Sequence, residues 1–144
     1  MKISTKGRYA LRMLTELAVR QNEGFISLKE IAARQDISKK YLEQIVPLFY
    51  QSGILTASRG AQGGYRLAKD PSAYTVGEIL RITEGSLEPV DCVADASLCP
   101  RAGICSTRFV WEGLHRVVTE YLDSITLQDL ADRATQQNDF SYVI

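Results

Sequence analysis

Six residues with three glycines, Arg59-Gly60-Ala61-Gln62-Gly63-Gly64, lie between two short runs of strand character, Ile54 to Ser58 and Tyr65 to Leu67. Glycine takes positive φ without steric cost, so this stretch can fold back at three points and specifies a hairpin. What precedes it is helical. Ala10, Met13, Leu14, Leu17 and Ala18 recur at helical spacing and predict a first helix from about Ser4 to Gln21, stopped by Asn22-Glu23-Gly24. Phe25 and Ile26 follow as a short extended piece. Ser27-Leu28-Lys29-Glu30 is a capping box, in which hydroxyl and carboxylate each satisfy an orphan amide. It opens a helix to Gln35 with Ile31 and Ala32 inward, and Asp36-Ile37 makes a tight turn. Ser38 then caps a third helix to about Gln51, with Leu42, Ile45, Val46 and Phe49 on its buried side. Pro47 sits inside that pattern and predicts a kink or an early break. Helix, helix, turn, helix, hairpin is the order of a winged helix-turn-helix.

The second half is read with less periodicity. Thr75-Val76-Gly77-Glu78 is another capping box, opening a helix to about Glu84. Gly85 to Gly103 shows no period and contains Pro89 and Pro100, so a long loop is expected. A long helix follows from about Ser106 to Ser124, then a short one capped at Thr126, then a loose tail. The expected organisation is a DNA-binding domain over residues 1–84, a cysteine-bearing loop over 85–105, a dimerisation helix with a short terminal helix over 106–135, and a flexible tail over 136–144. The fold class is mainly α with a small β-hairpin wing. Val110, Leu114, Val117, Val118 and Tyr121 form a stripe too wide to leave in solvent, which predicts a homodimer. Phe109 and Trp111 suit either that interface or the intramolecular core.

Formal net charge is zero, but the average hides an asymmetry. Residues 1–70 carry 12 Lys/Arg against 6 Asp/Glu, whereas residues 71–144 carry 5 against 11. A basic half suits a polyanion, because each cation near a phosphate releases condensed counterions. Polar side chains at the start of the third helix have the reach to read base edges: Ser38, Lys39, Lys40, Tyr41, Glu43 and Gln44. Lys39 and Lys40 suit phosphates or guanine acceptors, and Gln44 suits the adenine edge. Glu43 can only accept, chiefly from the cytosine amine, and so acts as a negative selector. Arg59 at the base of the hairpin suits a narrow minor groove, with Gly60 and Gln62 beside it keeping the loop slim and polar. Promoter DNA is the expected partner. No run approaches the roughly 18 apolar residues of a membrane span, and Met1 to Lys6 has no signal-peptide character. A cytoplasmic address is expected.

Cys92, Cys99 and Cys105 are an odd count, which argues against a disulfide framework. Their spacing is too wide for a redox CxxC pair. Three thiolates on one loop can take a soft centre, either zinc or an iron–sulfur cluster. Zinc in a structural site wants four ligands, and there is no fourth cysteine. Unligated thiols remain a third reading. One histidine, no P-loop and no HExxH give an enzyme little to work with, and none is expected.

In three places the sequence resembles a known family. Lys2-Ile3-Ser4-Thr5-Lys6-Gly7-Arg8-Tyr9-Ala10, then Tyr41-Leu42-Glu43-Gln44, then Arg59 to Tyr65, look like the IscR, NsrR and CymR group of bacterial regulators. The resemblance implies a winged-helix dimer, joined through its long C-terminal helix, on palindromic promoter sites. The IscR branch implies a discriminating role for Glu43 and minor-groove entry for Arg59. It also implies an iron–sulfur cluster on Cys92, Cys99 and Cys105, [2Fe-2S] ahead of a three-cysteine [4Fe-4S], and control of cluster-biogenesis genes. That branch carries a histidine three residues past the third cysteine, where this chain has Arg108, which cannot ligate. His115 lies ten residues past Cys105, about 15 Å along a helix. The fourth ligand is left open among Ser106, Thr107, Asp91, a partner-subunit group and solvent. The alternative comes from the ending Tyr142-Val143-Ile144, which is similar to the CymR tail and implies O-acetylserine thiol-lyase as a partner.

Overall fold

The computed structural model describes residues 1–143, with side-chain surroundings through residue 139. Helix α1 (Thr5–Val19) opens at Ser4, whose hydroxyl accepts from the Gly7 amide at 3.0 Å. Its buried row is Gly7, Ala10, Met13, Leu14, Leu17 and Ala18. Helix α2 (Leu28–Gln35) ends at Asp36, the one described non-glycine residue with positive φ, at 52°. That left-handed residue turns the chain sharply into α3 (Lys39–Gln51), capped by Ser38. Pro47 neither breaks nor ends α3. The helix runs past it to Ser52, because Leu42, Ile45, Val46 and Phe49 are all buried and hold both sides of the proline in the core.

Strands β1 (Leu55–Ser58) and β2 (Gly64–Leu67) pair antiparallel, with Leu55 opposite Leu67 and Ser58 opposite Gly64. Ile54, expected in the strand, is instead buried just before it. Ile26 and Tyr65 exchange both backbone hydrogen bonds, at 2.9 and 2.8 Å, so the extended piece before α2 grips the hairpin. Beyond the wing come α4 (Val76–Glu84), the four-residue α5 (Asp91–Ala94), α6 (Arg108–Asp123) and α7 (Leu127–Val143). Among the described residues no helix is long and apolar enough to cross a membrane.

Three expectations change. Ser27 accepts from the Glu30 amide at 3.2 Å, but the Glu30 carboxylate turns away to Arg20 at 2.7 Å, so only half the capping box forms. Arg20 is 8% exposed and also meets Glu23, a charged partner set that a lone N-cap amide cannot match. The stretch from Gly85 to Gly103 is not structureless: α5 and a 3-10 turn at Ala96–Leu98 occupy its middle, the latter capped by Asp95 on the Ser97 amide. The last helix is not short, and residues 136–143 continue it rather than trail away. Here the box is reciprocal: the Thr126 hydroxyl accepts the Asp129 amide at 3.1 Å and the Asp129 carboxylate accepts the Thr126 amide at 2.9 Å. Once a helix is nucleated, each further residue adds a bond at small cost, so a weakly patterned run can extend it. Leu127 and Ala131 anchor it in the main core beside α1.

Two bridges carry the packing from α6 toward the N-terminal domain. Arg81 of α4 holds Asp123 at the end of α6 through two bonds of 2.9 Å. Glu84 accepts from the Ser4 hydroxyl at 2.5 Å. Hydrogen bonds from the Arg81 guanidinium, with its positive charge beside them, hold the Asp123 carboxyl below its ordinary range. A carboxyl with a depressed folded pKa adds stability above its unfolded pKa and loses it as pH falls through the folded value. Asp123→Asn is therefore expected to cost little at pH 3 and more at pH 7, narrowing the difference in melting temperature between the two. Thermal melts across that range check it.

Candidate nucleic-acid interface and cysteine segment

The turn between α2 and α3 places the start of α3 outward. Lys39, Lys40, Glu43 and Gln44 are all exposed on it. Lys39 pairs with Glu43 at 3.8 Å, one helical turn on, with both side chains more than half exposed. A pair this open is worth a few tenths of a kcal/mol and yields readily to a stronger anion. Ser38 is exposed, and its hydroxyl accepts the Tyr41 amide at 3.1 Å. Tyr41 is half-buried. Its ring meets Tyr9 edge-on, centroids 5.3 Å apart, so much of it serves to seat α3 on α1.

Arg59, Gly60 and Gln62 stand exposed at the wing. Gly60 holds φ at 104°, and its carbonyl accepts the Gly63 amide at 3.0 Å to close the turn. At the wing's base the Arg66 guanidinium lies 4.4 Å from the centre of the Phe25 ring. The expected reading residues thus occupy two outward elements: the start of α3 and the hairpin. An open groove of about 500 Å³ separates the later turns of α3 from the hairpin, with Arg59 among its lining.

The cysteines lie elsewhere, between α4 and α6. All three are free and partly exposed. Cys105 sits beside Thr107, sulfur to hydroxyl 3.3 Å. Hydrogen bonds from the Thr107 side chain and amide, then one from the Arg108 amide and the Arg101 charge, hold its thiol below the ordinary range. Among the described residues no three of His, Cys, Asp and Glu gather closely enough to hold a metal. As a donor set, three accessible thiols on one segment fit an iron–sulfur centre, but the segment has to fold further to bring them together.

Arg108 joins this segment to α6. Its guanidinium donates to the Cys92 carbonyl at 3.1 and 3.4 Å and pairs with Glu112 at 3.0 Å. The α6 helix buries none of its own residues within the chain. Phe109, Val117 and Tyr121 are 70, 59 and 64% exposed, and Val110, Trp111 and Leu114 are also on the surface. Phe109 and Trp111 therefore do not belong to the intramolecular core.

Comparison with known proteins agrees with this layout. The family model Rrf2, described as an iron-dependent transcriptional regulator, matches residues 3–133. The chain belongs to the Rrf2 family. The transcriptional regulator CymR of Bacillus subtilis (strain 168) is 44% identical over 131 residues, spanning 91% of this chain and 90% of CymR. The structure of CymR, titled the global cysteine regulator of B. subtilis, superposes with a TM-score of 0.79 at 43% identity, covering 92% of this chain and 98% of that one. T. potens IscR follows with a TM-score of 0.76 at 40% identity, covering 93% and 88%. The winged helix-turn-helix and the transcription-regulator role are thereby established for this Rrf2 chain.

Two structural features near the candidate sites of this Rrf2 protein lie outside the sequence reading. Arg108 was read only as a residue unable to ligate, whereas it ties the cysteine segment to α6. The signal was present in its spacing of four from Glu112. The groove between α3 and the hairpin left no local pattern in the sequence, because its two walls meet only once the hairpin folds back beside α3.

Proposed function

We propose that this chain is a homodimeric, sequence-specific regulator of promoter DNA in the bacterial cytoplasm, whose binding answers to an iron–sulfur cluster on Cys92, Cys99 and Cys105. The observation that carries the reading is the single segment holding three accessible thiols and bonded to α6 through Arg108. A bound cluster would supply a centre sensitive to iron supply and oxidants, and its ligation would order the segment. The chain's own residues do the rest. Arg108 bonds the backbone of Cys92 to the start of α6, and the outer face of α6 takes the second subunit. Asp123 at the other end bonds Arg81 of α4, and Glu84 of α4 bonds the Ser4 cap of α1. This is a continuous set of contacts from the cysteine segment toward the helices that present α3, and a ligand that favours one arrangement of it biases DNA binding. Control of cluster-biogenesis genes is the corresponding physiological output.

The test is purification without oxygen, with iron and acid-labile sulfide assays and a visible spectrum, followed by operator titrations beside a triple Cys→Ala variant. Brown protein with iron and sulfide is expected, and the variant should lose both together with the wild-type operator preference. Colourless wild type, or identical affinities for every duplex, overturns the reading.

A second reading has its own support in the similarity to CymR. It makes the chain a regulator of cysteine and sulfur metabolism acting with O-acetylserine thiol-lyase through Tyr142-Val143-Ile144, whose side chains lie outside those described. Operator binding that requires the enzyme, and is lost when those three residues are removed, would favour it over the cluster.

A further inference from the structure

Of the reading residues named so far, only Arg59 lines the groove between α3 and the hairpin. Along α3, Glu43, Gln44, Pro47, Tyr50 and Gln51 follow one another at helical spacing and are all exposed. The face that presents Glu43 and Gln44 therefore runs on, without interruption, into the groove, whose far wall is Ala57, Ser58, Arg59 and Tyr65 of the hairpin. Tyr50 is 55% exposed and lines the groove. The lining mixes apolar faces with hydroxyl and amide groups and has a cation at its rim.

We infer that this groove seats the sugar–phosphate backbone of one DNA strand, with Tyr50 and Ser58 as positioning residues that donate hydroxyl hydrogen bonds to phosphate. The inference rests on the DNA-binding part of the reading above and not on the cluster. A helix start in one groove and a hairpin arginine in the neighbouring groove leave one backbone strand between them, and here the protein has a channel rather than a ridge. Deoxyribose offers an apolar edge for Pro47 and the Tyr50 ring, while phosphate accepts from hydroxyls and attracts Arg59. The exposed amide of Gln51 is placed to assist. A peptide segment would suit the apolar lining as well, but continuity with the reading face and the arginine at the rim favour the polyanion.

Neutral hydroxyl contacts have a distinctive signature, because they carry affinity without displacing counterions or reading bases. The experiment first selects a preferred operator from random duplexes with the wild-type dimer. It then titrates Tyr50→Phe and Ser58→Ala against that operator, against its single-base variants and against unrelated DNA, at two salt concentrations. Each variant removes one bond from each half-site and is expected to weaken all duplexes by a common factor of about a hundredfold, roughly tenfold per hydrogen bond to a charged acceptor. The slope of affinity against salt should stay at the wild-type value. In phosphate-ethylation interference, the phosphates between the two contacted grooves should matter for wild type and cease to matter for the variants. Wild-type affinity in both variants, a loss confined to one base position, or a shift from dimer to monomer would each overturn the groove assignment. Wild-type protein that selects no sequence would instead overturn the reading it rests on, before any variant is made.

Discussion

Val117→Asp is expected to leave the protein monomeric in light scattering and to weaken operator binding by roughly two orders of magnitude. Val117 is 59% exposed in the single chain and lies on the apolar row of α6 with Leu114 and Tyr121. If two copies cover that row, the substitution buries an unpaired carboxylate from each subunit, at a cost of several kcal/mol with no cation provided. The single chain should fold as before, because α6 contributes no buried residue of its own to either core cluster. Far-ultraviolet dichroism should therefore be unchanged. A variant that stays dimeric would remove α6 as the subunit contact. One that becomes monomeric yet binds DNA normally would remove the need for a dimer.

Gly64→Ala should be the most damaging single methyl addition in the wing. Gly64 lies where the hairpin meets the extended piece before α2, and a Cβ there would overlap the Ile26 carbonyl and crowd the Ser27 amide. Both obstacles are backbone, so neither can swing aside, and the Ile26–Tyr65 bonds next to them would have to part. A cost of about 3 kcal/mol is expected, which lowers the melting temperature by roughly 10 °C for a domain of this size. Gly60→Ala provides the comparison. That site holds φ at 104°, but a Cβ there meets nothing within 4 Å. Its cost should be about 1 kcal/mol, from backbone strain alone. Equal melting temperatures for the two variants would mean that the hairpin does not lean on Ile26.

The buried row of α1, the cap of α3 and the glycine hairpin were legible because each is written within a few neighbouring residues. Ala10, Met13, Leu14, Leu17 and Ala18 announce their helix by period alone, and all five are buried. The length of α7 was hidden, since Gln136 to Asp139 are all polar and the helix is started by its Thr126–Asp129 cap. Glu30 looked like a capping partner until Arg20, ten residues upstream, was folded against it. For the site, residue chemistry picked out the exposed polar groups of α3 and the wing. It gave no hint that Tyr41 leans on Tyr9 or that Tyr50 flanks a channel, because both depend on tertiary juxtaposition.

The contact between Lys39 and Glu43 bears on how fast the regulator leaves a wrong address. In free protein the carboxylate is partly neutralised by its neighbour, so on the proposed reading of α3 an approaching duplex would meet a basic surface and be captured quickly whatever its sequence. On that reading, Glu43 stands alone among acceptors only when Lys39 is drawn off to a phosphate, and its repulsion would be felt at that last step. Discrimination exercised there lengthens residence on permitted sites and shortens it on others, leaving the encounter rate nearly common to both.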